Sequence, residues 1–291
     1  MKPAPFAYRA PDTIEAALEL LSEYGEESRL LAGGQSLVPL MVMRMARPAV
    51  LIDLNRCCGL SYLEIDRGVL RCGAMTRQIA IERAPEVVRG ASLLAKAMRY
   101  VGPRTVRNQG TLGGTVAHAD PAAEIPAAIV CLDATVVLRS VRGRREVPAQ
   151  DFFVDSLMTV IEPDELLVEV RVPCSAPGSR AAFAEVGVRQ VDLALAGIAA
   201  DLKLDAAGCC ERVRLAALGG ATVPRRLSSA EHCLQGVAPT AAVVRDAAHA
   251  ALRDIDPLSD LHASASYRTA IFPGLIERAI HEALEHETIT A

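Results

Sequence analysis

The stretch Arg29-Leu30-Leu31-Ala32-Gly33-Gly34-Gln35-Ser36-Leu37 decides how the first part of the chain is read. Arg29 to Ala32 is a short apolar strand that breaks at the glycine pair. A helical stretch runs from Leu37 to about Ala46, and a second strand follows at Val50-Leu51-Ile52-Asp53-Leu54. The order strand, glycine turn, helix, strand predicts a small parallel unit. Paired glycines let the backbone take positive φ and approach a ligand closely. The amides that open the following helix favour an anion, and Gln35 and Ser36 add side-chain donors. A pyrophosphate suits this segment. A tight strand-to-helix turn that binds nothing also fits it, because a lone glycine pair is a weak signal.

Upstream, Asp12-Thr13-Ile14-Glu15 offers an acceptor at a helix start with an acid three residues on. Ile14, Ala17, Leu18 and Leu21 share one helical face, and Gly25 closes the helix. Downstream, Tyr62–Ile65 and Val69–Cys72 flank Asp66-Arg67-Gly68 as a hairpin. Helical stretches follow at about Thr76–Ala84 and Pro85–Tyr100. The segment Gly102 to Thr115 carries too much glycine for a helix. Within it, Thr111-Leu112-Gly113-Gly114-Thr115 repeats the chemistry of the first turn, with hydroxyls around two glycines. Arg104 and Arg107 lie upstream and are expected to raise the local positive potential; the plain alternative is again a tight turn beside solvated arginines. Neither segment matches G-x-G-x-x-G or the P-loop, so a Rossmann domain is not the reading. Two separate glycine turns with hydroxyl and amide donors suit one ligand with two phosphates.

A helix at Ala122–Cys131 and strands at Thr135–Arg139 and Glu165–Val172 complete the first part. Pro173 to Gly178 combines prolines, serines and a glycine, and a domain boundary is placed there. Ala181–Val188, Ala194–Leu204 and Val213–Leu218 read as three strands. Helices follow, the clearest at Ala241–Arg253 and Tyr267–His286. The fold class is α+β.

The length of 291 residues suggests about two domains. With 51% hydrophobic and 23% charged residues, the chain has the composition of an ordinary folded protein. A net charge of −4 gives no basic face for nucleic acid. No apolar run reaches bilayer length, and the N-terminus lacks a signal-peptide core, so a cytoplasmic protein is expected. The eight cysteines include no C-x-x-C pair and no histidine at ligand spacing, which argues against zinc or iron–sulfur ligation in this chain. The adjacent pairs Cys57-Cys58 and Cys209-Cys210 read as free thiols. Aromatic content of 3% with no Trp points away from a self-contained pocket for an aromatic substrate.

Ala32-Gly33-Gly34-Gln35-Ser36-Leu37-Val38-Pro39-Leu40-Met41 and Arg107 through Glu124, with Thr111-Leu112-Gly113-Gly114-Thr115-Val116-Ala117-His118-Ala119-Asp120 at its centre, resemble the two FAD motifs of the medium subunit of molybdenum hydroxylases. That is the carbon monoxide dehydrogenase and xanthine dehydrogenase superfamily. Asp192-Leu193-Ala194-Leu195-Ala196 and Ser266-Tyr267-Arg268 resemble stretches of its C-terminal domain. The resemblance spans essentially the whole chain. It implies an FAD-binding domain at 1–175, made of two α/β subdomains of the PCMH type (about 1–55 and 56–175). A C-terminal domain at 178–291 would carry a three-stranded antiparallel sheet and a helical bundle. It implies FAD at Leu30, Leu31, Ala32, Gly33, Gly34, Gln35, Ser36, Leu37, Thr111, Leu112, Gly113, Gly114 and Thr115. Val101 and Leu166 would pack near the cofactor, Ala117 would approach the isoalloxazine ring, and Glu124 would contact cofactor hydroxyls. Val101 and Ala117 also read as plain core, and Glu124 as a first-turn helix acid.

The implied role is an electron-transfer subunit with no catalytic base of its own. A large partner would hold a molybdenum–molybdopterin cofactor and carry out hydroxylation. A small partner would carry two [2Fe–2S] clusters, in a dimer of heterotrimers. Three features of the family pattern are missing: a common lysine, with Val42 in its place; a lysine often seen near Phe183, where Ala184 and Glu185 stand; and a frequent aromatic, with Leu193 in its place. These departures bear on the ring end of the site. His118 and Asp120 read as partners of the loop backbone, with a proton shuttle or flavin attachment as the alternative. An autonomous flavin oxidoreductase of the same fold and a cofactor-free scaffold are the competing functions. Valine at Gly33 or Gly113 is expected to abolish FAD retention and leave the fold largely intact.

Overall fold

A computed structural model describes residues 2–189 and 192–285. The first unit is the parallel one expected. Ser28–Leu31 and Ala7–Arg9 both pair in parallel with a central Val50–Asp53. The helix Ile14–Tyr24 packs Ala17, Leu18 and Leu21 against this sheet. Its cap is Thr13, whose hydroxyl accepts from Ala16 N; Asp12 instead pairs with Arg56 at 2.9 Å. Gly25 ends the helix at φ +44°, a backbone state that favours glycine. The helix after the first glycine turn is shorter than its sequence suggests, covering Leu37–Val42.

The second sheet is antiparallel, ordered Leu63–Asp66, Val69–Gly73, Leu166–Pro173, Thr135–Ser140, Gly143–Pro148. Its last strand, Gly143-Arg144-Arg145-Glu146-Val147-Pro148, has no apolar alternation to announce it. It is an edge strand with an exposed, charged face, where Arg145 pairs with Glu165 and Arg171 with Glu146. The stretch between this sheet's hairpin and the second glycine segment breaks into three short helices, Gln78–Arg83, Pro85–Gly90 and Ser92–Ala97. Pro85 starts the second of them at a position where its missing N–H costs nothing.

The third sheet is antiparallel, with Ser179–Gly187, Ala194–Leu204, Cys210–Leu218 and a short fourth strand, Arg225–Arg226, beyond the three expected. Its faces alternate with period two. Ala182, Ala184, Ile198, Ala200 and Leu215 pack against Ser228–Leu234, Ala241–Ala250 and Ala265–Glu285. Ala181, Phe183, Ala199, Ala216 and Leu218 pack on the other face, with the wholly buried helix Glu124–Cys131. This core therefore runs on across Pro173–Gly178. The long helix ends its described part at Glu285, and His286 lies outside the described residues. Among the described residues no helix is long and apolar enough to cross a membrane.

Candidate functional site: an FAD cleft between two glycine motifs

The two glycine segments meet. A Cβ on Gly33 would lie 2.4 Å from Gln109 O and 2.8 Å from Gly110 Cα, and one on Gly114 would lie 3.5 Å from Ala32 Cβ. Two side chains tie them together. Asn55 donates to Ala32 O at 2.9 Å, and its Oδ1 accepts from Arg77 Nη2 at 2.6 Å. Arg77 Nη1 donates to Gln109 O. Neither Asn55 nor Arg77 stands out in sequence, since their duty depends on contacts between distant segments.

Beside this junction runs a cleft of about 1100 Å³. That is at the upper end of small-molecule sites, which span roughly 300–1,000 Å³, and suits a dinucleotide in size. All the residues assigned to the cofactor line it except Leu31 and Leu112; Leu112 is fully buried behind the wall. His118, Asp120, Asp192 and Leu193 also line it, whereas Val42, Ala184 and Glu185 do not. Unforeseen wall residues include Gln78, whose buried Oε1 has no hydrogen-bond partner among the described residues, and Leu157 and Met158, which are exposed at the rim.

The first motif presents donors. Gly34 takes φ +71°, and among the described residues nothing accepts from the N–H groups of Gly33, Gly34, Gln35 or Ser36. Ser36 precedes the helix Leu37–Val42 yet makes no capping bond to it. Unpaired amides and a spare hydroxyl at a strand-to-helix turn form a concave site for phosphate oxygens. The Gln35 side chain donates back to Gly33 O at 3.0 Å, which shapes the turn.

The second motif is different. It is a helix, Leu112–His118, and not a turn. Leu112 N donates to Thr76 O, Gly113 N to Ala74 O, and Thr115 N to Thr111 O. The Thr111 hydroxyl caps the helix by accepting from Gly114 N at 3.1 Å. Thr115 Oγ1 accepts from Gln78 Nε2 at 2.8 Å. Its glycines allow packing: a Cβ on Gly113 would lie 2.6 Å from Ala74 Cβ. Helical glycine is unfavourable by propensity, and that contact overrides it. Valine at Gly33 or Gly113 therefore collides with protein, so these changes do not separate cofactor binding from folding as the sequence suggests.

The expected cationic support is also absent from the described wall. Arg104 is exposed and does not line the cleft. Arg107 is buried, pairs with Glu82 at 2.9 Å and donates to Val101 O at 3.0 Å, so it fixes the loop ahead of the motif. Of the lining residues only Arg29 is a basic Lys or Arg, and it donates to Glu26 O and Ser28 O. Negative charge in this cleft is left to backbone dipoles. Asp120 Oδ1 accepts from Ala122 N, as expected of a loop partner; the His118 ring has no such bond among the described residues.

Glu124 is buried at the start of its helix, and burial, with Asp120 nearby, pushes its carboxyl up to about 7. The donor set, the cleft's size and its apolar walls at Leu30, Val101 and Leu166 fit FAD.

Residues 4–175 match the model of the FAD binding domain in molybdopterin dehydrogenase. The chain belongs to the FAD-binding medium subunits of the molybdenum hydroxylases. Residues 181–283 match the CO dehydrogenase flavoprotein C-terminal domain. The chain is 38% identical over 284 residues to the 6-hydroxypseudooxynicotine dehydrogenase complex subunit alpha of Paenarthrobacter nicotinovorans, covering 98% of this chain and 96% of that protein. It superposes on a chain of carbon monoxide dehydrogenase from Hydrogenophaga pseudoflava with a TM-score of 0.95 at 37% identity, covering 98% and 99% of the two chains. For quinoline 2-oxidoreductase from Pseudomonas putida 86 the TM-score is 0.93 at 33% identity, covering 98% and 99%. As a member of this family the chain is an FAD subunit of a multi-subunit molybdenum oxidoreductase.

Proposed function

We propose that this medium subunit carries electrons and leaves substrate chemistry to its partners. It takes them from [2Fe–2S] clusters of a small subunit and passes them to an external acceptor, while a large molybdopterin subunit hydroxylates the substrate. The proposed assembly is a dimer of such heterotrimers. The observation that carries this reading is full-length similarity to named subunits of dehydrogenase complexes, joined to a cleft whose donors suit FAD.

Bound FAD supplies the redox chemistry. The residues of this chain bind and orient it. The amides of Gly33 to Ser36 would hold the diphosphate, Leu30, Val101 and Leu166 would wall the cofactor, and Glu124 would meet its hydroxyls. Ala117 and Leu193 would stand at the ring end. We place the FAD-binding domain at 1–175, with subdomains at about 1–55 and 56–175, and the C-terminal domain at 178–291.

Purification from the native host tests this. The expected outcome is a yellow chain accompanied by two other subunits, with molybdenum and iron in the preparation. A yellow chain that purifies alone and turns over a substrate would establish the autonomous oxidoreductase instead.

A further inference from the structure

A strained leucine stands at the rim of the cleft, on the tip of a small hairpin. Phe153–Asp155 and Met158–Thr159 pair with Asp155 opposite Met158, so Ser156 and Leu157 form a two-residue turn. Leu157 takes φ +59°, in the left-handed region where such turns ordinarily place Gly, Asn or Asp. A Cβ crowds the backbone there, and strain of this kind persists only where the surroundings enforce it. Three bonds enforce it: Ser156 N donates to Asp155 Oδ1 at 2.8 Å, Leu157 N to Ala119 O at 3.0 Å, and Ser156 Oγ to Thr222 O at 3.4 Å. The strain brings little packing in return, because Leu157 is 57% exposed.

Five non-glycine residues take positive φ among the described residues, namely Arg44, Arg67, Ala119, Asp133 and Leu157, and of these Leu157 alone lines the cleft. Ala119, which accepts its N–H, is the left-handed cap of the helix Leu112–His118. It follows Ala117 and His118, both on the cleft wall, so Leu157 is fastened to the end of the cleft assigned to the ring. Met158 and Leu193, also apolar and exposed, line the same cleft. An apolar side chain open to water gains only when something apolar covers it.

We infer that Leu157 contacts the bound cofactor at its ring end, as an apolar cover that keeps water and dissolved oxygen from the reduced ring. The inference rests on FAD occupying the cleft with its ring beside Ala117. The strained turn is retained because it holds a side chain against the ligand from outside both glycine motifs. Reaction with oxygen takes two electrons and two protons from the reduced cofactor and forms hydrogen peroxide. Leu157 makes no bond in that step and acts by exclusion alone.

The test compares the full chain with Leu157→Gly, which suits the left-handed backbone and removes the cover, and Leu157→Asn, which suits it and leaves a polar side chain. The thermal midpoint of the apo chain should hold or rise in both, since the backbone strain is relieved. Fluorescence titration of FAD into apo Leu157→Gly should give a dissociation constant about fivefold higher, as the loss of roughly half a leucine's burial implies. Reoxidation of the dithionite-reduced, FAD-loaded chain by dissolved oxygen, followed by flavin absorbance, should be several-fold faster in both variants. Unchanged affinity and unchanged reoxidation would overturn the inference, whatever happens to the binding of other subunits. A lower apo midpoint with unchanged affinity would also overturn it, by making Leu157 a residue that packs the protein. A wild-type chain that retains no FAD would instead overturn the cofactor reading on which it rests.

Discussion

The two glycine motifs look alike as sequence and behave as opposites in the structure. At Gly33 to Ser36 four successive amides lack acceptors among the described residues, and the hydroxyl of Ser36 does not cap its own helix. At Leu112 to Thr115 the amides are all engaged, two of them with Ala74 and Thr76, and Thr111 caps its helix. The first motif is an open donor surface. The second is a buttress that lets a helix lie against the strand end at Gly73 and holds the first motif in place. A paired glycine thus has two unrelated uses, approach to a ligand and approach to a neighbouring backbone, and only the destination of the N–H groups separates them.

The largest expected effect comes from loading the buttress. Gly113→Val would place side-chain carbon where Ala74 already lies at 2.6 Å from the first added atom. Backbone on one side leaves no room to relax, so the apo chain should lose about 3 kcal/mol or more of stability. Urea unfolding of the cofactor-free variant measures this. Wild-type apo stability with impaired FAD binding would erase the contrast and return the second motif to a ligand-binding role.

The open surface should respond the other way. Ser36→Ala removes a hydroxyl that no described residue uses as a helix cap. Apo stability should stay within about 0.5 kcal/mol, as for surface changes generally. FAD affinity should fall about tenfold, the loss of one hydrogen bond to a charged group of about 1.5 kcal/mol. Fluorescence titration of FAD into the apo variant reads it. Unchanged affinity would mean that the diphosphate sits away from Ser36.

The same contrast explains what sequence could disclose. The parallel unit was legible because Leu30-Leu31 and Val50-Leu51-Ile52 are apolar runs on either side of a glycine break and a helical stretch. The three strands of the C-terminal sheet were legible because Ala194–Leu204 is buried on both faces and reads as one apolar run. Gly143–Pro148 was hidden because its charged residues find their partners outside any local pattern: Arg145 in Glu165, just ahead of the strand Leu166–Pro173, and Glu146 in Arg171 on that strand. The helix at Leu112–His118 was hidden because its glycines answer to Ala74, some forty residues away in sequence, and not to local propensity. Arg107 was misread for a similar reason: its charge looks outward until Glu82 and the Val101 carbonyl are brought to it. For the cleft, composition of the motifs located the wall, and the staple of Asn55 and Arg77 emerged only from the fold.

Thr111→Val is the finest of these tests, because it keeps shape and removes one acceptor. Thr111 is buried at 2% exposure, and its hydroxyl accepts from Gly114 N. The variant leaves that N–H without its cap, at an expected cost of about 1 kcal/mol in apo stability. If Thr111 acts as a buttress, FAD affinity at a temperature where the variant is folded should change less than twofold, and the thermal midpoint of the apo chain should drop by a few degrees. If Thr111 instead reaches the cofactor with the same hydroxyl, affinity should fall while the apo midpoint stays put. Measured side by side with Ser36→Ala, the two threonine outcomes decide whether the duties of the motifs are divided as sharply as their amides are.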